Sequence, residues 1–79
     1  MRPALKEVRP LNGCKLDLRY SNGEHKVYDL AKLLKNPMNH PLKNPTLFET
    51  VKINGCGVEW RNGIDICPDE LYNNSRAAE

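Results

Sequence analysis

The sequence predicts an α+β fold in which antiparallel β meanders are combined with a short middle helix and a C-terminal helix. Three observations lead to this prediction. Asn-Gly dipeptides recur between short segments rich in β-branched and aromatic residues, one segment alternates apolar and polar residues, and two stretches carry helix-start signals. The 79 residues suffice for a single domain, which we assign to residues 1–79.

The Asn-Gly dipeptides predict hairpin turns. They occupy residues 12–13, 22–23, 54–55 and 62–63. A two-residue turn of the primed type requires positive φ at both central positions, which Gly adopts freely and Asn more readily than most residues. Four such turns indicate several antiparallel strands.

Alternation locates the first meander. Within residues 15–20, the apolar and charged side chains fall on opposite faces, as in a half-buried strand: Leu16, Leu18 and Tyr20 against Lys15, Asp17 and Arg19. A preceding strand is expected at 4–11, ended by Pro3 and Pro10, because proline in sheets is restricted to edges and termini. Residues 24–28 are expected to return as the third strand.

The middle of the chain has weak helix signals. Asp29 is expected to cap a short helix over residues 30–35, which Asn36-Pro37 ends. Residues 36–45 contain three prolines and predict an ordered but irregular loop. The stretch 46–49 fits a Ser/Thr-x-x-Glu capping box, with room for no more than a turn.

Strand signals then resume. Segments beginning at Val51, Gly57 and Ile64 predict a second three-stranded antiparallel run. Pro68 is expected to begin the last helix, whose first turn carries acidic residues where the helix dipole favours them. The tail 75–79 has little to anchor it and is expected to fray.

The net charge and the cysteine content indicate which partners and which cellular location to expect. The net charge is only +2 and the basic residues are scattered, which argues against nucleic acid as a partner. Three cysteines cannot all pair within one chain, which favours a reducing, cytoplasmic location. Residues 1–10 lack the apolar core of a secretory signal, and no run is long enough to span a membrane.

No residue is predicted to be catalytic, to bind a cofactor or to bind a metal. His25 and His40 do not belong to a zinc-ligand spacing, and Cys56 and Cys67 are too far apart for a Cys-x-x-Cys knuckle. Three aspartates each have a ready structural role, as a cap, a strand-edge charge or a first-turn acid: Asp29, Asp65 and Asp69.

Two single residues admit both a structural and a functional interpretation. Cys67, before the last helix, is either a thiol activated by the helix dipole or a buried structural thiol, and we favour the second. Trp60 is either a core anchor or an exposed aromatic used in binding, and we favour the core.

Several of these motifs together resemble a known family. Tyr28-Asp29-Leu30, Leu47-Phe48 and above all residues 60–72 (WRNGIDICPDELY) are similar to the small bacterial family called domain of unknown function 2442. Members tend to carry a hydroxyl residue where this chain has Cys67. A thiol is a poorer acceptor, so the helix cap is expected to be weaker by about 1 kcal/mol.

The resemblance implies an α+β domain that precedes a helix-turn-helix segment in some longer bacterial proteins. Stand-alone members often lie beside a gene for another small domain, of unknown function number 4160, which implies a toxin and antitoxin-like module. Because residue 79 closely follows the last predicted helix, we do not expect the DNA-binding segment here.

The leading functional hypothesis is a non-enzymatic protein-binding module that contacts a small protein partner or a second copy. A nucleic-acid-associated regulatory protein is the alternative, and a small enzyme is third. The binding surface is expected either in the loop 36–45 or along an unpaired strand edge, because loops and exposed edges both accept partners. The sequence does not choose between these two surfaces.

Overall fold

Two antiparallel sheets and several short helices make up the computed structural model, which describes residues 3–78. The first sheet has the strand order β1-β2-β3-β7 and the second has the order β4-β5-β6. The strands are β1 (Leu5–Leu11), β2 (Lys15–Tyr20), β3 (His25–Asp29), β4 (Lys52–Asn54), β5 (Gly57–Glu59), β6 (Asp65–Ile66) and β7 (Arg76–Ala77), and the α-helices are α1 (Pro45–Phe48) and α2 (Pro68–Asn74). The predicted α+β class is confirmed.

Strand β2 follows the predicted alternation with one exception. Leu16, Leu18 and Tyr20 are buried, whereas Lys15 and Arg19 are exposed. Asp17, expected on the solvent face, is only 9% exposed. The structure explains this, since the Asp17 carboxylate contacts the His25 ring and lies 3.6 Å from the Arg19 guanidinium.

Strand β1 ends at Leu11 as predicted, but Pro10 does not mark its end. Pro10 lies inside the strand, opposite Leu16, and the strand continues to Leu11. Since β1 is an edge strand, the missing N–H of proline need not cost a ladder hydrogen bond. The register shifts between Leu5 and Glu7, which is a bulge of the kind that protects sheet edges.

The Asn-Gly dipeptides lie in hairpin turns, but not as the two central residues with positive φ that the prediction required. Each of the four glycines has positive φ, whereas none of the four asparagines does. In the turn at 20–23, the Gly23 N–H donates to the Tyr20 carbonyl (3.0 Å) and the Tyr20 N–H donates to the Glu24 backbone carbonyl (2.9 Å). This is the three-residue hairpin with a bulged glycine, which needs only one left-handed residue.

The segment 36–45 is more regular than predicted, and the predicted helix at 30–35 is shorter. In place of a helix over 30–35 there is a 3-10 turn at Leu33–Lys35, and in place of an irregular loop there is a 3-10 helix at Pro37–Lys43. Helix α1 is capped by Asn44, whose side chain accepts from the Thr46 N–H (2.9 Å), so the capping-box prediction is wrong. Asn44 precedes a proline, which suits the first helical position and shifts the helix start to residue 45.

The C-terminal segment corrects another prediction. Helix α2 begins at Pro68 as predicted, and the Cys67 side chain makes no capping hydrogen bond. The tail is anchored, because β7 pairs with β3, Arg76 opposite Val27 and Ala77 opposite Lys26. Residue 79, the end of the tail expected to fray, lies outside the described residues.

The core lies between the two sheets and the helices. Trp60 is fully buried, and its indole N–H donates to the Phe48 carbonyl at 3.0 Å, which confirms the core interpretation. The Phe48 and Trp60 rings are stacked with centroids 6.0 Å apart. The buried apolar residues come from every part of the chain: Leu5, Leu16, Leu18, Tyr20, Tyr28, Leu30, Leu42, Phe48, Val58, Trp60, Ile66 and Leu71.

Circular dichroism is expected to show more strand than helix. Of the described residues, 37% are in strands and 28% are helical, and the helical share includes the 3-10 turns. Deconvolution of the far-ultraviolet spectrum of the purified chain is the measurement. A spectrum dominated by helix would contradict the fold.

Candidate functional site

A shallow apolar groove lies where the β1–β2 hairpin meets α1. Residues 10–14 form one wall, and Leu42, Lys43, Pro45, Phe48 and Glu49 form the other wall and floor. Its volume is about 270 Å³. Pockets that enclose drug-sized ligands are mostly larger, about 300–1,000 Å³. The groove therefore suits one or two inserted side chains.

Local backbone geometry builds the first wall of the groove. The β1–β2 turn has positive φ at Gly13 (81°) and at Cys14 (58°), which directs the chain sharply from β1 into β2. The Cys14 carbonyl accepts a hydrogen bond from the Leu30 N–H at 3.0 Å. The turn is thus fixed to the segment that follows β3.

Two asparagine caps build the opposite wall. The Asn36 side chain accepts from the Met38 N–H (3.0 Å), and the Asn44 side chain caps α1. These caps start the two helical segments that bury Leu42 and Phe48 beneath the groove. The proline-bearing segment is therefore held as a wall, because proline fixes φ and side-chain caps satisfy the free N–H groups.

The groove has an apolar centre and a charged rim. Leu11 is 39% exposed, one of two large hydrophobic residues exposed among residues 3–78, the other being Met38. Lys43 and Glu49 are exposed and contribute one charge of each sign. An apolar surface bordered by opposite charges is typical of a protein contact.

The two binding surfaces predicted as alternatives meet at this groove. The edge strand β1 supplies Pro10 and Leu11, and the segment 36–45 supplies Leu42, Lys43 and Pro45. Sequence reasoning did not single out Leu11, because it treated the residue as an ordinary strand position. Its place directly before Asn12-Gly13, at the tip of an edge hairpin, is the signal that could have identified it.

The histidines and aspartates considered from the sequence lie on separate elements. His25 contacts Asp17 on the first sheet, whereas His40 is exposed in the 3-10 helix. Asp29 accepts from the Ala31 N–H at 2.9 Å, Asp65 lies in β6 and Asp69 in the first turn of α2. Within residues 3–78, no three His, Cys, Asp or Glu side chains are grouped as metal ligands.

The three cysteines are free thiols. Cys14 and Cys56 are half-buried, and Cys67 is exposed. The expectation that Cys67 is a buried structural thiol is therefore wrong. Its position immediately before α2 leaves the side chain outside the core, while Leu71 of that helix packs inward.

Helix α2 is joined to the first sheet by tyrosine–carboxylate pairs. The Tyr28 hydroxyl donates to Glu70 at 3.0 Å, and burial together with this carboxylate raises the pKa of Tyr28. The Tyr72 hydroxyl donates to Glu24, which raises the pKa of Tyr72 and lowers that of Glu24. The Lys26 ammonium donates to the Tyr72 carbonyl at 2.9 Å. These groups hold the helix in place and lie away from the groove lining.

Comparison with known families identifies the chain. The family model described as "Protein of unknown function (DUF2442)" matches residues 5–77. The chain belongs to the DUF2442 family. No curated protein matches it, and no solved structure does.

The match defines the extent of the DUF2442 unit. It begins at the first residue of β1 and ends at the last residue of β7, so it includes both sheets, α1 and the groove. The C-terminal strand β7 is therefore part of the family's domain. Within the described part of this DUF2442 chain, no helix is long and apolar enough to cross a bilayer.

Proposed function

We propose that this DUF2442 chain is a non-enzymatic protein-binding module of the cytoplasm that uses the groove to hold a small partner protein. The observation that carries the proposal is the convergence of an exposed edge strand and a structured proline-bearing segment on one apolar groove. The occupant is an apolar side chain on an extended segment of the partner, flanked by charges complementary to Lys43 and Glu49. An antitoxin-like role is the more specific form of this proposal, which the family resemblance supports.

The edge strand limits how the partner can bind. Pro10, the bulge near Leu5 and the Glu7–Arg9 ion pair (2.7 Å) are features that discourage long edge-to-edge pairing. A partner therefore gains most of its affinity from the side chain in the groove. Such buried apolar anchors dominate the energetics of many interfaces.

Leu11→Asp is expected to weaken the complex strongly. A charge at this position is desolvated when the partner segment closes over the groove, so binding should weaken by about 2 kcal/mol or more. The chain should be co-expressed with the product of its neighbouring gene and examined by size-exclusion chromatography with light scattering. Titration calorimetry on the purified pair then gives the affinity of each variant.

Met38→Asp is the matched control. Met38 is 79% exposed and does not line the groove, so the same change in chemistry should leave binding unaltered. Both variants should melt close to the parent, because neither side chain belongs to the buried core. Equal loss of binding in both variants would contradict the groove as the binding surface.

Two outcomes would contradict the proposed function as a whole. One is a strictly monomeric elution at high micromolar concentration with no co-eluting neighbour. The other is binding to DNA with an affinity that falls steeply with salt, which would favour the nucleic-acid-associated regulator. If two copies of this chain formed a complex instead, the chain would still be a protein-binding module, and its partner would be a second copy rather than a different small protein.

A further inference from the structure

The four Asn-Gly dipeptides are chemically equivalent in sequence but not in structure. In such a dipeptide the Gly peptide nitrogen can attack the Asn side-chain carbonyl carbon, and the absence of a Gly side chain leaves this approach open. All four asparagines are exposed: Asn12, Asn22, Asn54 and Asn62. Exposure therefore does not distinguish them, and hydrogen bonding does.

In the turn at 22–23, hydrogen bonds restrain both the Gly23 nitrogen and the Asn22 side chain. The Gly23 N–H, which would supply the attacking nitrogen, donates to the Tyr20 carbonyl at 3.0 Å. The Asn22 side-chain oxygen accepts from the Glu24 N–H at 3.0 Å, and its amide nitrogen donates to the Glu24 carboxylate at 2.8 Å. Attack requires these bonds to break first.

The turn at 62–63 shares two of these three hydrogen bonds. The Gly63 N–H donates to the Trp60 carbonyl at 2.9 Å, and the Asn62 side-chain oxygen accepts from the Ile64 N–H at 3.2 Å. At 54–55, the Asn54 amide nitrogen donates to the Glu59 carboxylate. In all three turns, at least one hydrogen bond restrains the rotation of the asparagine side chain.

Asn12 differs from the other three. Among the described residues, neither its side chain nor the Gly13 N–H takes part in a hydrogen bond. We propose that Asn12 is a site of spontaneous deamidation in the folded protein, at the lip of the groove. The inference does not depend on the proposed function.

The reaction needs only water. The Gly13 nitrogen loses its proton and bonds to the Asn12 side-chain carbonyl carbon, and the side-chain nitrogen leaves as ammonia. Water then opens the resulting cyclic imide at either carbonyl, giving aspartate or isoaspartate. Each product adds one negative charge beside Leu11, and isoaspartate also lengthens the backbone of the turn that forms one wall of the groove.

Tryptic peptide mapping by mass spectrometry tests the proposal. Cleavage after lysine and arginine separates the four dipeptides into the peptides 7–15, 20–26, 53–61 and 62–76. The full chain is incubated folded, at mildly alkaline pH, and sampled over time. Peptide 7–15 should convert first. Asn22 and Asn62 should convert at least about tenfold more slowly, since one net hydrogen bond corresponds to about that factor.

Two controls assign the difference to the fold. In urea, all four peptides should convert at rates within a few-fold of one another. Asn12→Ser should remove the early conversion from the folded chain, whereas the matched variant Asn62→Ser should leave it unchanged. Conversion of Asn22 or Asn62 as fast as Asn12 in the folded chain would overturn the proposal. So would slower conversion of Asn12 in the folded chain than in urea.

Discussion

Trp60→Ala is expected to leave the chain largely unfolded. The Trp60 side chain is fully buried, stacks on Phe48 and donates its indole N–H to the Phe48 carbonyl. Removing a large buried aromatic side chain costs about 3–5 kcal/mol. A core of this size supplies about 3–5 kcal/mol in total, so the loss is comparable with the whole stability. Urea and thermal denaturation followed by circular dichroism measure the effect.

Trp60→Phe is the control for this variant. It keeps an aromatic ring against Phe48 but removes the indole N–H and leaves the Phe48 carbonyl without that donor. We expect it to fold with a lowered melting temperature. If Trp60→Ala melted within a few degrees of the parent, Trp60 would not be the anchor of the core.

Gly57→Ala is expected to be the next most damaging change. A methyl group at residue 57 would collide with the Ile66 carbonyl oxygen and lie 3.2 Å from the Pro68 nitrogen. Both are backbone atoms, and they cannot move without disturbing the β5–β6 pairing and the start of α2. Overpacking of this kind costs about 1–3 kcal/mol, and more where the backbone cannot yield.

Cys56→Ala provides the comparison for Gly57→Ala. Cys56 is half-buried and adjacent in sequence, yet its substitution inserts no atom between the backbones. Denaturant midpoints of both variants should therefore differ clearly. Equal midpoints would show that β5 and the β6–α2 junction are not in close contact.

The candidate site was only partly predictable from sequence. The two surfaces that form the groove were predicted as alternative binding surfaces, but their convergence depends on how the β1–β2 hairpin packs against α1. The segment 36–45 was predicted to be a loop because it contains three prolines, and proline disfavours the interior of a helix. Asparagine caps at residues 36 and 44 and the burial of Leu42 stabilise helical turns there nonetheless.

The sequence by itself determined strands β1 to β6, the hairpins between them and the start of α2. These features follow from local causes: period-two alternation in β2, glycine where the chain needs positive φ, and Pro68 at the first helical position. The most specific part of the family resemblance was also local, because it is the contiguous stretch 60–72.

Only the tertiary structure decided the features that depend on distant parts of the chain. Strand β7 forms because α2 ends where Arg76 and Ala77 can pair with the edge of β3. The tail has no strand signal of its own in the sequence. Asp17 is buried because the His25 ring, on the neighbouring strand β3, contacts its carboxylate. Gly57 is required because another backbone segment lies against it. In each case the deciding partner lies at least eight residues away, where neither local propensity nor short-range spacing can register it.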